Sequence, residues 1–184
     1  MQLSQDQSSA LQRIDAFMHD RDGPRMLALA GAAGTGKSTI IGNLVARHAA
    51  KPMRQRARAI RFSAMTHKAV GVAASMATGQ ECLTTHKMFG LAPVRTYAVK
   101  GHVLLEKNRP KYDSGDMIIV DEASMIDKSM FDILMKHACN EDLKILFVGD
   151  DCQLPPVVDG KEDAGQRPPV FDAAPTIKLT QVHR

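Results

Sequence analysis

Residues Gly31-Ala32-Ala33-Gly34-Thr35-Gly36-Lys37-Ser38 satisfy the pattern G-x-x-x-x-G-K-[ST] at every fixed position. The flanks are those the pattern needs. Met26 to Ala30 is an apolar run that reads as a buried strand, and Ser38 onward reads as the start of a helix. A strand turning into a helix through glycines lets backbone N–H groups close around a polyphosphate, and the helix N-terminus adds positive potential there. In that arrangement Lys37 neutralises the β- and γ-phosphates and Ser38 holds Mg²⁺. The bland alternative is a structural glycine turn.

The apolar runs along the rest of the chain predict strands at 26–30, 58–64, 117–121, 143–149 and 175–180. Helices are predicted at 37–50, 67–77, 84–90 and 127–138. Strands alternating with helices argue for an α/β fold with a mostly parallel sheet covered on both faces. The 184 residues suffice for one such domain. Ser4 and Gln7 have capping-box spacing ahead of an apolar face formed by Leu11, Ile14, Phe17 and Met18. Residues 93–113 break the rhythm: Thr96 to Glu106 reads as two short strands around Lys100-Gly101, a small β-hairpin insertion.

Met117-Ile118-Ile119-Val120 ends in Asp121-Glu122. A carboxylate at such a strand end can hold Mg²⁺ hydration, so Asp121 is a metal candidate. A neighbouring Glu122 can take a proton from an attacking water. The alternative is that Asp121 or Ser124 merely caps the following helix. Leu143 to Val148 is a further buried strand, and it runs into Gly149-Asp150-Asp151-Cys152-Gln153-Leu154-Pro155-Pro156. The Gln153 amide can donate to a phosphate and accept from water, although the segment also reads as an ordinary turn.

Charge is unevenly spread. Gly23 to Gln80 contains nine basic residues and no Asp or Glu. Residues 1–112 sum to +11 and residues 113–184 to −7. A basic segment free of carboxylates suggests a polyanion partner, or else a solvated basic loop. No apolar run approaches the ~20 residues of a membrane span. The N-terminus lacks a signal-peptide layout, and the three cysteines lack metal or disulfide spacing. A cytoplasmic protein is expected.

In order and content, these motifs resemble the superfamily 1 DNA helicases, in the RecD-like and Dda-like 5′→3′ branch. Leu3 to Gln7 is similar to that family's adenine-reading glutamine motif. The first motif spans Gly31 to Thr39, so the resemblance also places Thr39 at the nucleotide. Phe62 to Ala69 resembles motif Ia, and Thr84-Thr85-His86 resembles motif Ib. Asp121-Glu122-Ala123-Ser124 is similar to the second motif, Gly149 to Val157 to the third, and Leu179 to Arg184 to the fourth. The resemblance implies a RecA-like P-loop NTPase domain over residues 1–184 that uses ATP and Mg²⁺. It implies catalytic roles for Lys37, Glu122, Gln153 and Arg184, with Arg184 at the γ-phosphate. It implies a single-stranded DNA track along Thr66, His67, Lys68, Thr84 and His86, and a strand-separating pin at 93–113 carrying Tyr97. The residues themselves leave three alternatives open: Gln7 as a capping-box member, His67 and His86 as plain surface histidines, and Tyr97 as a packing residue. The family has two motor domains, so the chain is expected to be truncated before a second RecA-like domain that carries an arginine finger. Rival readings are an ATPase acting on a protein or membrane partner, and a nucleotide-binding module without turnover.

Overall fold

The computed structural model describes residues 3–52, 58–76, 81–95, 102–153 and 167–182. Its centre is six parallel strands: β1 (Met26–Gly31), β2 (Ile60–Ala64), β3 (Cys82–Thr84), β6 (Met117–Asp121), β7 (Lys144–Gly149) and β8 (Thr176–Leu179). They lie in the order β3-β2-β6-β7-β1-β8. A separate antiparallel ribbon is formed by β4 (Leu91–Arg95) and β5 (His102–Glu106). The helices are α1 (Gln5–His19), α2 (Lys37–Ala50), α3 (His67–Met76), α4 (Thr85–Met88), α5 (Lys128–Asn140) and α6 (Pro169–Ala173). Among the described residues no helix is long and apolar enough to cross a membrane.

Two-residue alternation along the central strands explains why the sheet is covered on both sides. Leu27, Leu29, Met117, Ile119, Leu146, Val148 and Ile177 face one layer with Leu11 and Ile14 of α1 and Ile40 and Leu44 of α2. Ala28, Ala30, Ile118, Val120, Ile145 and Phe147 face the other, with Phe131 and Leu134 of α5 and Phe171 of α6. With both faces buried, the central strands read as continuous apolar runs.

Parallel pairing collects all the strand starts at one edge, and that edge absorbs much of the basic segment. Arg58, 8% exposed, donates to the Gly115 carbonyl at 2.9 Å and to the Asp142 backbone and carboxylate. Arg25 also pairs with Asp142, and Arg61 pairs with Asp113 and Asp116. Lys144 is fully buried, with Nζ donating to the Pro24 carbonyl at 2.7 Å and lying 4.9 Å from the Phe17 ring centroid. The charge asymmetry is therefore in part internal complementarity. It corrects the expectation that the whole stretch serves a polyanion: Arg25, Arg58 and Arg61 are spoken for, while Arg54 and Arg56 lie outside the described residues.

Other elements depart from expectation. The strand Cys82–Thr84 has no counterpart among the predicted elements, since three residues are too few for a visible period. The five-residue α6 has none either. The first hairpin strand precedes the expected position. It is Leu91–Arg95, with Pro93 opposite Leu104, and the expected start at Thr96 falls outside the described residues. A two-stranded ribbon has only edge strands, so the missing proline N–H can face away from its partner.

Gly90 joins this ribbon to the body. Its φ is +68°, and its carbonyl accepts the N–H groups of Lys107 and Asn108 at 3.0 Å each. A Cβ there would lie 2.1 Å from the Asn108 carbonyl oxygen. Gly90→Ala therefore combines left-handed strain with a backbone clash. The expected loss is about 2 kcal/mol, read as a lowered urea midpoint at unchanged slope. A midpoint equal to that of the parent would refute this account of the turn.

Candidate functional site

The opposite edge collects the strand ends, where open parallel sheets bind ligands. β1 delivers Gly31, and the loop then reverses through Gly34 (φ +82°) and Gly36 (φ +87°) into α2. Gly36 is the N-cap and offers no side-chain cap, so the first N–H groups of α2 lack a protein acceptor within the helix. Ala32, Ala33 and Gly34 are exposed. Thr35 is buried and ties the loop to itself, Oγ1 donating to the Ala32 carbonyl at 2.9 Å.

Gln7 braces this loop from α1. Ser4 N–H donates to its Oε1 at 3.1 Å, its own N–H donates to Ser4 Oγ at 3.2 Å, and its Nε2 donates to the Thr35 carbonyl at 3.3 Å. The capping box is thus formed as the spacing predicts. The bond to Thr35 has no local sequence signal, because it spans 28 residues.

Lys37, Ser38 and Asp121 line one cleft of about 30 Å³ with Ile41, Phe62, Ile119 and Val148. Lys37 Nζ is bonded to the Gly31 and Ala32 carbonyls, the latter at 3.1 Å. Burial pulls its pKa below the usual lysine value, against the opposing carboxylates of Asp150, Asp121 and Asp151. Burial pushes the Asp121 carboxyl up, and the Glu122 charge adds to this. The Glu122 N–H and Lys37 pull it back. That N–H donates to Asp121 Oδ1 at 2.9 Å. The oxygen donors Ser38 and Asp121 suit a hard divalent cation.

The helix-cap alternative for Asp121 and Ser124 does not hold for α5. Asp127 caps that helix, accepting from Met130 N–H at 2.7 Å. Ser124 instead donates to Gln153 Oε1 at 3.1 Å, joining the ends of β6 and β7. Gly149 permits this approach, since a Cβ there would lie 3.2 Å from the backbone nitrogens of Ala123 and Ser124. Asp151 is held by Lys178 and Arg167, each at 2.7 Å, with its carboxyl lowered chiefly by the hydrogen bond from Lys178.

Beyond β2, Thr66 Oγ1 accepts Ala69 N–H at 3.2 Å and donates to Glu122 Oε2 at 2.9 Å. This contact joins two sequence motifs and has no local signal. His67 and Lys68 are exposed at the start of α3, and Lys68 has no ion pair among the described residues. Thr84 caps α4, accepting Lys87 N–H at 3.3 Å. His86 is partly buried, and desolvation lowers its pKa, favouring the neutral ring. Tyr97 and Arg184 lie outside the described residues.

A family model for the AAA domain matches residues 2–184. Among curated proteins, the chain is 33% identical over 185 residues to an ATP-dependent RecD2 DNA helicase from Deinococcus radiodurans, covering 99% of this chain and 22% of that protein. It is 27% identical over 148 residues to the uncharacterized protein R530 of Acanthamoeba polyphaga mimivirus, covering 72% of this chain and 29% of that one. The matched region thus spans less than a third of the length of these relatives. Two solved structures of Pif1 from Bacteroides sp. share its fold at 21% identity and cover all of this chain. The unliganded one gives a TM-score of 0.58 over 42% of its own chain, and the complex with ADP-AlF4 gives 0.61 over 43%.

The Gly36–Gln7 contact yields a test of the loop's geometry. A Cβ at Gly36 would sit 2.2 Å from Gln7 Nε2. Gly36→Ala should lose about 1–3 kcal/mol from its positive φ. Part of the total loss should disappear in a Gln7→Ala background, where the clash is relieved. Strict additivity in urea denaturation of the four chains would show that the two residues do not press on each other.

Proposed function

The chain belongs to the AAA domain family matched over residues 2–184, and on that footing we propose that it is the first RecA-like motor domain of an ATP-dependent DNA helicase. The observation that carries the reading is one cleft lined by Lys37, Ser38 and Asp121, with Glu122 next in the chain. In this reading the 1–184 unit works against a second RecA-like domain that supplies an arginine. The 93–113 hairpin serves as a pin, with Tyr97 at the fork.

The nucleotide is Mg·ATP. Gly31 to Gly36 wrap the phosphates with backbone N–H groups, and Lys37 leaves the Gly31 and Ala32 carbonyls to meet the β- and γ-phosphates. Ser38 and Asp121 would hold the magnesium shell, and the ion would supply charge neutralisation to the phosphates. Glu122 takes the proton of the attacking water. Gln153 and Arg184 attend the γ-phosphate, and Ser124 keeps the Gln153 side chain beside the second motif. Gln7 acts on the nucleotide through the loop it braces.

Single-stranded DNA runs along Thr66, His67, Lys68, Thr84 and His86. Hydroxyls and cations of this kind reach phosphate oxygens, which carry affinity without sequence preference. Lys68 contributes charge, whereas neutral His86 contributes a hydrogen bond.

Two sets of variants bear on this reading. Lys37→Ala should abolish Mg·ATP binding in calorimetry while leaving the circular dichroism spectrum unchanged. Glu122→Gln should bind Mg·ATP and lose single-turnover hydrolysis. Parent-like binding by the Lys37 variant would remove the phosphate-loop assignment. For DNA, Lys68→Ala should weaken all sequences alike and reduce the slope of log K against log salt by roughly one. An unchanged slope in anisotropy titrations would take the track away from α3.

A further inference from the structure

Four exposed cations gather around the Gly90 turn. Gly90 N–H donates to the Lys87 carbonyl at 3.3 Å, the Gly90 carbonyl accepts Lys107 N–H at 3.0 Å, and the Met88 carbonyl accepts Lys111 N–H at 2.8 Å. The 107–111 segment is thus laced to the end of α4, and it presents Lys107, Arg109 and Lys111 beside Lys87. All four are exposed, and none forms an ion pair among the described residues. The nearest carboxylates in the chain are already matched: Glu106 by Lys136 at 3.0 Å, and Asp113 by Arg61. The positive charge of this turn therefore stays unneutralised within the described fold.

A cavity of about 300 Å³ adjoins the turn, and Lys111 belongs to both. Buried Ile60, Leu83 and Met88 form its floor, half-buried Arg61 its wall, and exposed Glu81 and Lys111 its rim. It lies at the starts of β2 and β3, away from the strand ends that carry Lys37 and Thr84. Its size is at the small end for a ligand pocket, enough for one large side chain. The lining selects among anionic occupants. None of the described lining residues is aromatic, so a nucleobase finds no ring to stack on. Glu81 offers only acceptors, which a peptide N–H can meet and a phosphodiester backbone, lacking donors, cannot. The Arg61 charge is met by Asp113 and Asp116, so it contributes shape. Exposed ion pairs contribute little individually. Charge therefore selects the occupant, and a buried apolar group retains it.

We propose that this face docks an acidic peptide segment of a partner protein, with one apolar side chain in the cavity and carboxylates on Lys87, Lys107, Arg109 and Lys111. The segment is extended, because Lys111 is the one cation of the four that lines the cavity. The other three lie along its path out of the cavity and over the turn. The nucleotide cleft and the DNA track are not involved, so this inference stands or falls apart from them.

The experiment is anisotropy titration of a fluorescein-labelled peptide of four aspartates, a glycine and a phenylalanine, with labelled oligothymidylate titrated in parallel. The parent chain should bind the peptide saturably, with a Kd below about 1 mM. Replacing the peptide's phenylalanine by glycine should weaken binding about tenfold, a change made in the ligand that leaves the protein's fold untouched. Lys107→Gln/Arg109→Gln, both at exposed positions, should weaken the peptide about fivefold and leave oligothymidylate within about twofold of the parent. Arg13→Gln/Arg21→Gln removes the same net charge from exposed positions outside the patch, and it should leave the peptide within about twofold. No saturable binding of the peptide by the parent overturns the proposal. So does equal binding of the glycine peptide, which leaves the cavity without an occupant. Equal losses in the two double variants reduce the patch to net charge and overturn it as well. A loss of oligothymidylate as large as that of the peptide assigns the patch to nucleic acid instead.

Discussion

The site hangs from the parallel pairing of β1 with β7 and of β7 with β6. Ala30 lies beside Gly149, and Val120 beside Phe147. That register ends the three strands within two residues of one another, so Gly31, Asp121 and Asp150 emerge at the same edge without any long-range guidance of their own. A slip of one residue would turn each strand's inward side chains to the opposite layer. The two apolar layers therefore hold the site's geometry as well as the fold. The same pairing sorts polar groups by edge: strand starts carry buried Arg58 and half-buried Arg25 and Arg61 locked to carboxylates and carbonyls, and strand ends carry the nucleotide motifs.

Legibility in the sequence follows physical locality. The strand Met117–Asp121 and the helix Lys37–Ala50 are readable because an uninterrupted apolar run ends in glycine or acid, and because α2 follows its loop directly. The Ser4–Gln7 box is readable because both bonds span three residues. The short strand at Cys82–Thr84 is not, since its place depends on pairing with Phe62–Ala64. The hairpin strand is displaced from its expected start because Pro93 argues against a strand everywhere except at an edge. Motif positions are visible at the site, but the bonds between motifs are not. Gln7 to Thr35, Thr66 to Glu122 and Ser124 to Gln153 each join distant segments.

The basic segment shows why composition needs a fold before it indicates a partner. Nine positive residues without a carboxylate look like one surface. In three dimensions Arg25, Arg58 and Arg61 neutralise Asp142, Asp113 and Asp116 at the strand starts, while Lys68 stands at the strand ends. The carboxylates are missing from that stretch of sequence because they arrive from the loops before β6 and β7.

Lys37 resting on the Gly31 and Ala32 carbonyls has a bearing on how the site cycles. In the proposed nucleotide role the ammonium exchanges two neutral acceptors for an anion on loading and regains them on emptying. The loop thus acts as a resident competitor for its own cation, tempering affinity for any phosphate that arrives. A spent ligand would then leave behind the two carbonyls that take the ammonium back.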